Sequence, residues 1–227
     1  MEAIKMTKEQ LRKSNTPLIG FAGSPFTVAS YLVGDGRGHD LKKFMPVVFG
    51  NLELVKSLLD KLTLITVRYL NAQIQSGVDA IQIFDSWSNA LSWSSFKDLS
   101  LPYLRRVIEQ LDNPNKVPVT VFGTSYSVFY PLLQDVGANV ISIDSHNDIG
   151  KVRKDLRSDI AIQGNLDPYF LLAPKEVLTQ QALAILTTMQ GSKGFIFNLG
   201  HGVLPSVPED NVRLLVDLVK TFPARQS

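Results

Sequence analysis

Cysteine is absent from these 227 residues. Its absence excludes disulfides, thiolate nucleophiles and every metal site that needs a sulfur ligand. Net charge is nearly absent too: 23 Lys and Arg against 21 Asp and Glu leave +2, too little to mark a nucleic-acid or membrane surface. No run approaches the ~20 apolar residues of a membrane span. The first fifteen residues, "MEAIKMTKEQLRKSN", mix charges without an apolar core and are no signal peptide. Two phosphate-binding fingerprints, G-x-G-x-x-G and G-x-x-x-x-G-K-[ST], are also missing. "GTSYS" fails the spacing of a nucleophile elbow. What remains is an ordinary globular composition, 44% hydrophobic and 19% charged, long enough for a sizeable core.

Six short apolar runs recur along the chain: "PLIGFAG" (17–23), "AIQIFDS" (80–86), "PVTVFG" (118–123), "VISID" (140–144), "IAIQGN" (160–165) and "GFIFNLG" (194–200). Several are continuous rather than alternating, the pattern of strands buried on both faces. Helical periodicity lies between them, clearest over 50–76, where Val55, Leu58, Leu59, Leu62, Ile65, Tyr69 and Leu70 recur every three or four residues before Gly77. Further helices are expected from Pro174 to about Met189, from "SVPEDNV" onward with Pro208 in its first turn, and at the N-terminus, where Thr7 to Gln10 has capping-box spacing. Strand and helix alternating in this way predict a parallel α/β sheet in a single domain, with "GDGRG" (34–38) as a mobile loop. Six strands do not close a (β/α)8 barrel, so either the sheet is open and doubly wound or two units are missing.

In both architectures chemistry gathers at the C-terminal strand ends. Those ends carry Gly23-Ser24, Asp85-Ser86-Trp87, Gly123-Thr124-Ser125, Asp144-Ser145-His146, Gln163-Gly164-Asn165 and Asn198 to Gly202. Turn chemistry alone accounts for any one of them; the set points to a polar cleft. His201, bare between Gly200 and Gly202, is the foremost single candidate, either to receive a carboxylate or to cap a carbonyl in a tight turn. His39 reads as solvated. Asp144, His146 and Asp148 read either as a metal site or as a turn leading into a helix.

"PLIGFAGSPFTVASYLV", "QIFDSW", "LPY", "AIQGNLDP" and "FNLGHGV", in this order and spacing, resemble the uroporphyrinogen decarboxylase family of the haem pathway, from Pro17 to about Val219. The resemblance implies an α/β fold of the TIM (β/α)8 barrel family, here an incomplete barrel of about six βα units, without metal or organic cofactor. It implies a cytoplasmic homodimer that removes the four acetate carboxyls of uroporphyrinogen III to give coproporphyrinogen III, the protonated pyrrole serving as electron sink. Carried over by motif, Tyr31 of "ASY", Ser86 after "FD" and His201 of "LGHG" contact the substrate, and Phe84 lies against the macrocycle. The family's arginine pair and its central aspartate, which meets the pyrrole N–H groups, precede the first strand found here. No R-x-x-x-R stands before Pro17. The expectation is therefore a chain matching the C-terminal two-thirds of the enzyme, holding binding residues but no catalytic ones, and inactive alone. Two alternatives stand beside it: a non-catalytic tetrapyrrole-binding fragment, and a relative of the corrinoid-linked, zinc-dependent methyltransferases. Zero cysteines weighs against the latter.

Overall fold

The computed structural model describes residues 1–34, 41–113 and 116–223. Most of the "GDGRG" stretch and His39 lie outside them. The chain divides into two compact units, residues 1–124 with 132–139 and residues 125–131 with 140–227.

Unit 1 opens with α1 (Glu2–Arg12), β1 (Ile19–Gly23), α2 (Pro25–Val33), α3 (Phe44–Gly50) and the long α4 (Leu52–Gln75). It continues through β2 (Ala80–Phe84), α5 (Trp93–Leu99), α6 (Leu101–Glu109) and β3 (Val119–Phe122). β1, β2 and β3 are parallel neighbours, with Gly23 opposite Phe84 and Phe84 opposite Phe122. α4 is the periodic helix expected from the sequence, with Val55, Leu59, Leu62, Val67, Leu70 and Ile74 on its buried face, whereas Ile65 and Tyr69 of the expected stripe are exposed. Asn51 caps its start by accepting the Leu54 N–H, and Gly77, at φ +95°, ends it in the left-handed conformation that glycine adopts without strain.

The Thr7–Gln10 capping box is not used. α1 begins at Glu2, so Thr7 stands mid-helix. Its periodic pattern starts earlier than the capping signal, and Glu2 in the first turn complements the helix dipole. α2 is a second departure. Ser24 accepts the Thr27 N–H and Pro25 occupies the first position, so a helix starts one residue after β1 ends.

Gln73 deals with the edge of β1 that faces away from β2. Its side-chain amide accepts from Phe21 N at 2.8 Å and donates to Phe21 O at 2.9 Å, as a neighbouring strand would. A β-carbon on Gly20 would lie 2.4 Å from the Gln73 oxygen, so this arrangement requires glycine there.

α1 is tied down chiefly by charge. The Lys8 ammonium donates to Asp79 Oδ2, which also accepts from Leu18 N at 2.6 Å. The Lys8 hydrogen bond, then that of Leu18, hold the Asp79 carboxyl below its ordinary value. Depression means the contribution is full above about pH 4 and is lost as pH falls through the folded-state value. Acid titration of unfolding free energy is expected to show this loss below about pH 4. Asp79→Asn should abolish that step while costing less than about 1 kcal/mol at neutral pH, because the pair is solvent-screened. An unchanged acid profile in the variant would remove Asp79 from the account.

After a single helical turn, α7 (Tyr130–Leu133), come β4 (Val140–Ser142), α8 (Ile149–Asp155), β5 (Ala161–Leu166), α9 (Lys175–Thr188), β6 (Phe195–Leu199) and α10 (Glu209–Thr221). In unit 2, β4, β5 and β6 are again parallel neighbours. Leu166, Leu171, Leu178, Ala182 and Leu215 form its core, with Phe197 and Leu199 packed against it. Strand, helix, strand with parallel pairing is the repeat of a partial (β/α) barrel. The continuous runs of β3 and β4 are buried throughout, as expected, whereas β1 and β6 alternate. No helix among the described residues is long and apolar enough to cross a membrane.

Candidate functional site

In unit 1 the two faces of the sheet differ by the pleat. Ala22, Ile81, Ile83, Val119 and Val121 are buried on one side. Phe21, Gln82, Phe84, Thr120 and Phe122 belong to the other by alternation. Phe84 stands in the middle of an aromatic row, edge-on to Phe21 at 6.0 Å and to Phe122 at 5.9 Å between ring centres. Phe21 is 60% exposed, so this face offers flat apolar surface.

Immediately beyond β2, the chain turns through Asp85, Ser86 and Trp87. Asp85 is fully buried. Its Oδ1 accepts from the hydroxyls of Ser24, of Thr27 at 3.2 Å and of Ser88 at 2.5 Å, while Oδ2 accepts from Ser100 at 2.6 Å. A buried carboxylate needs such partners. Ser86 is half-buried, and its carbonyl accepts from Thr124 Oγ1 at 3.1 Å. Tyr31 projects from α2, 40% exposed, with its ring edge-on to Trp87 at 6.3 Å. Tyr31, Phe84 and Ser86 therefore all belong to unit 1, around the C-terminal end of β2.

Unit 2 carries a second buried carboxylate at a strand end. Asp144 accepts from the backbone N–H of Ser125, from His146 N at 3.2 Å and from Asn147 Nδ2 at 2.5 Å, and His146 Nδ1 lies 3.2 Å from its Oδ2. Asn165, from the end of β5, donates to Asp144 O at 2.9 Å and to Asn147 O at 2.7 Å. Burial, and secondarily the Asp144 charge, push the Tyr130 phenol far above its ordinary value, so it stays a donor and acceptor near neutrality. Asp148 accepts the Lys151 N–H at 2.9 Å and caps α8. Of the two readings of "DSHND", the turn and helix start describes these contacts.

His201 lies in the loop after β6 and is exposed. Gly200 N donates to Leu166 O at 2.7 Å, extending the β5–β6 ladder to the residue before the histidine. A β-carbon on Gly200 would stand 2.3 Å from Ser145 N and 2.9 Å from Asp144 C, while one on Gly202 would meet nothing within 4 Å. Gly200 thus lets the His201 loop lie directly on the backbone of the Asp144 turn.

The hydroxyl cage around Asp85 was not singled out from sequence, and the turn at Asp144 was, but without its contacts from Ser125 and Asn165. Their partners are dispersed, Ser24 and Ser100 among them, and no local spacing marks them.

The family model described as uroporphyrinogen decarboxylase (URO-D) matches residues 1–222. A uroporphyrinogen decarboxylase of Citrifermentans bemidjiense is 39% identical over 96% of this chain and 64% of its own length. The proteins of that name from Trichlorobacter lovleyi and Pseudomonas syringae pv. syringae are each 37% identical over 99% of this chain, and over 66% and 64% of their own lengths. The chain thus spans just under two-thirds of these curated relatives. In fold, a methyltransferase from Methanosarcina mazei superposes with a TM-score of 0.82 at 23% identity, over 97% of this chain and 63% of that one. Together with the strand-end residues described above, the match over nearly the whole sequence shows that this chain belongs to the uroporphyrinogen decarboxylase family.

Proposed function

We propose that the chain serves the decarboxylation of uroporphyrinogen III to coproporphyrinogen III, as the substrate-binding part of a TIM-barrel enzyme. Tyr31, Ser86 and His201 meet substrate carboxylates through neutral or charge-assisted hydrogen bonds, and Phe84 lies against the macrocycle. The observation that carries this reading is the placement of the family-matched residues: Phe84 and Ser86 at the end of β2, Tyr31 beside them on α2, and His201 just beyond β6. Strand C-terminal ends are where such folds bind their ligands. The reaction needs an acceptor for the pyrrole N–H groups and cations to offset up to eight carboxylates. The family resemblance assigns both to a segment preceding Pro17, so residues 1–227 alone bind substrate without turning it over. The intact enzyme is a single-domain, cytoplasmic homodimer without cofactor. The methyltransferase likeness, at 23% identity, concerns fold only, and the sequence has no cysteine to ligate zinc as that reading requires.

Binding tests this directly. Uroporphyrin, the stable oxidised form bearing eight carboxylates, should quench tryptophan fluorescence of the chain at lower concentration than four-carboxylate coproporphyrin does. His201→Ala should weaken uroporphyrin binding about ten- to a hundredfold, the loss of one charge-assisted hydrogen bond of ~1.5–3 kcal/mol. Equal affinity for both porphyrins, or an unaffected variant, would reduce His201 to a turn residue.

A further inference from the structure

Asp85 is a fully buried carboxylate to which the proposed function gives no role. Its partners are not scattered at random. Ser24 is the N-cap of α2, the helix that bears Tyr31, and Thr27 lies one turn into it. Ser88 begins the short helical turn that follows Ser86 and Trp87. Ser100 stands at the junction of α5 and α6, with its hydroxyl 2.9 Å from that of Ser88. Thr27 Oγ1 also accepts the Trp87 N–H at 3.4 Å, and Trp87 is the aromatic partner of Tyr31. One carboxylate therefore fixes both backbones that present Tyr31 and Ser86, and it directly precedes Ser86 in sequence.

We infer that Asp85 is a positioning residue for carboxylate recognition, holding Tyr31 and Ser86 in one geometry through Ser24, Thr27, Ser88 and Ser100. The inference rests on the substrate-binding reading of Tyr31 and Ser86. A carboxylate suits the task because it is acceptor-only, so four hydroxyls converge on it as donors. An amide of the same shape offers one oxygen and turns a donor toward hydroxyls that must then reorient.

A double-mutant cycle on the 227-residue chain, with uroporphyrin as probe, separates positioning from general support of the fold. Asp85→Asn is expected to weaken binding about tenfold. In the background of Tyr31→Phe with Ser86→Ala it should add little, because the groups it positions are gone. In the background of His201→Ala its tenfold effect should persist in full. Ser100→Ala, which removes one donor and keeps the carboxylate, should follow the same pattern with a smaller effect, and serves if Asp85→Asn does not fold. Full additivity in both backgrounds would overturn the inference while leaving the binding residues in place. If the Tyr31 and Ser86 substitutions themselves leave affinity unchanged, or the wild-type chain does not bind the probe, the binding reading fails and the inference falls with it.

Discussion

Gly200→Ala is expected to destabilise unit 2 by about 3 kcal/mol, at the upper end of what one added carbon costs in a packed site. The new β-carbon would sit 2.3 Å from Ser145 N and 2.9 Å from Asp144 C and Ser145 Cα. All three are backbone atoms, so no side chain can swing away. Either the His201 loop lifts or the Asp144 turn moves, and that turn holds Asn165 and Asn147 in place. Porphyrin affinity should fall with stability, because the loop displaced is the one that carries His201. Gly202→Ala is the matched control: its β-carbon meets nothing within 4 Å, so stability should change by no more than about 0.5 kcal/mol. Denaturant unfolding of the two variants decides the point. Equal costs would mean that both glycines serve loop flexibility rather than close packing on one side.

This asymmetry was not legible in "LGHGV". A histidine between two glycines advertises accessibility, but which glycine is sterically required depends on Ser145, more than fifty residues earlier in the chain. The same limit applied elsewhere. All six strands followed from apolar runs, continuous in β3 and β4 because those strands are buried throughout, and α4 followed from its length and periodicity. α2 left no such trace: Pro25, Phe26, Thr27, Ala29 and Ser30 are buried, so "PFTVASYLV" has little polar face to mark a period. His201 stood out between its glycines and Ser86 at a strand end, while Tyr31 and the roles of all three came from motif resemblance; the Asp85 cage required tertiary structure, since its hydroxyls come from three separate places in the fold. A buried carboxylate announces itself by its partners, and those are set by folding.

The resemblance divides binding from chemistry in a way that has a large, all-or-none consequence. Protonating a pyrrole carbon creates a cation, and an unscreened set of carboxylates in a partly dry cleft repels strongly. On the proposed reading, Tyr31, Ser86 and His201 would supply hydrogen bonds and at most one positive charge between them. Ile19 and Phe21 of β1 are 56% and 60% exposed, apolar surface of the kind a further packed element would cover. On that reading residues 1–227, tested alone, should bind substrate and stall.

The most direct measurement is therefore anaerobic conversion of uroporphyrinogen III to coproporphyrinogen III, made with residues 1–227 alone and with the same residues joined to the first two βα units of a relative such as the Citrifermentans bemidjiense enzyme. The account predicts no conversion by residues 1–227 alone, conversion by the joined protein, and a ten- to hundredfold loss in the joined protein on His201→Ala. Turnover by residues 1–227 alone, or none by a folded joined protein, would contradict it.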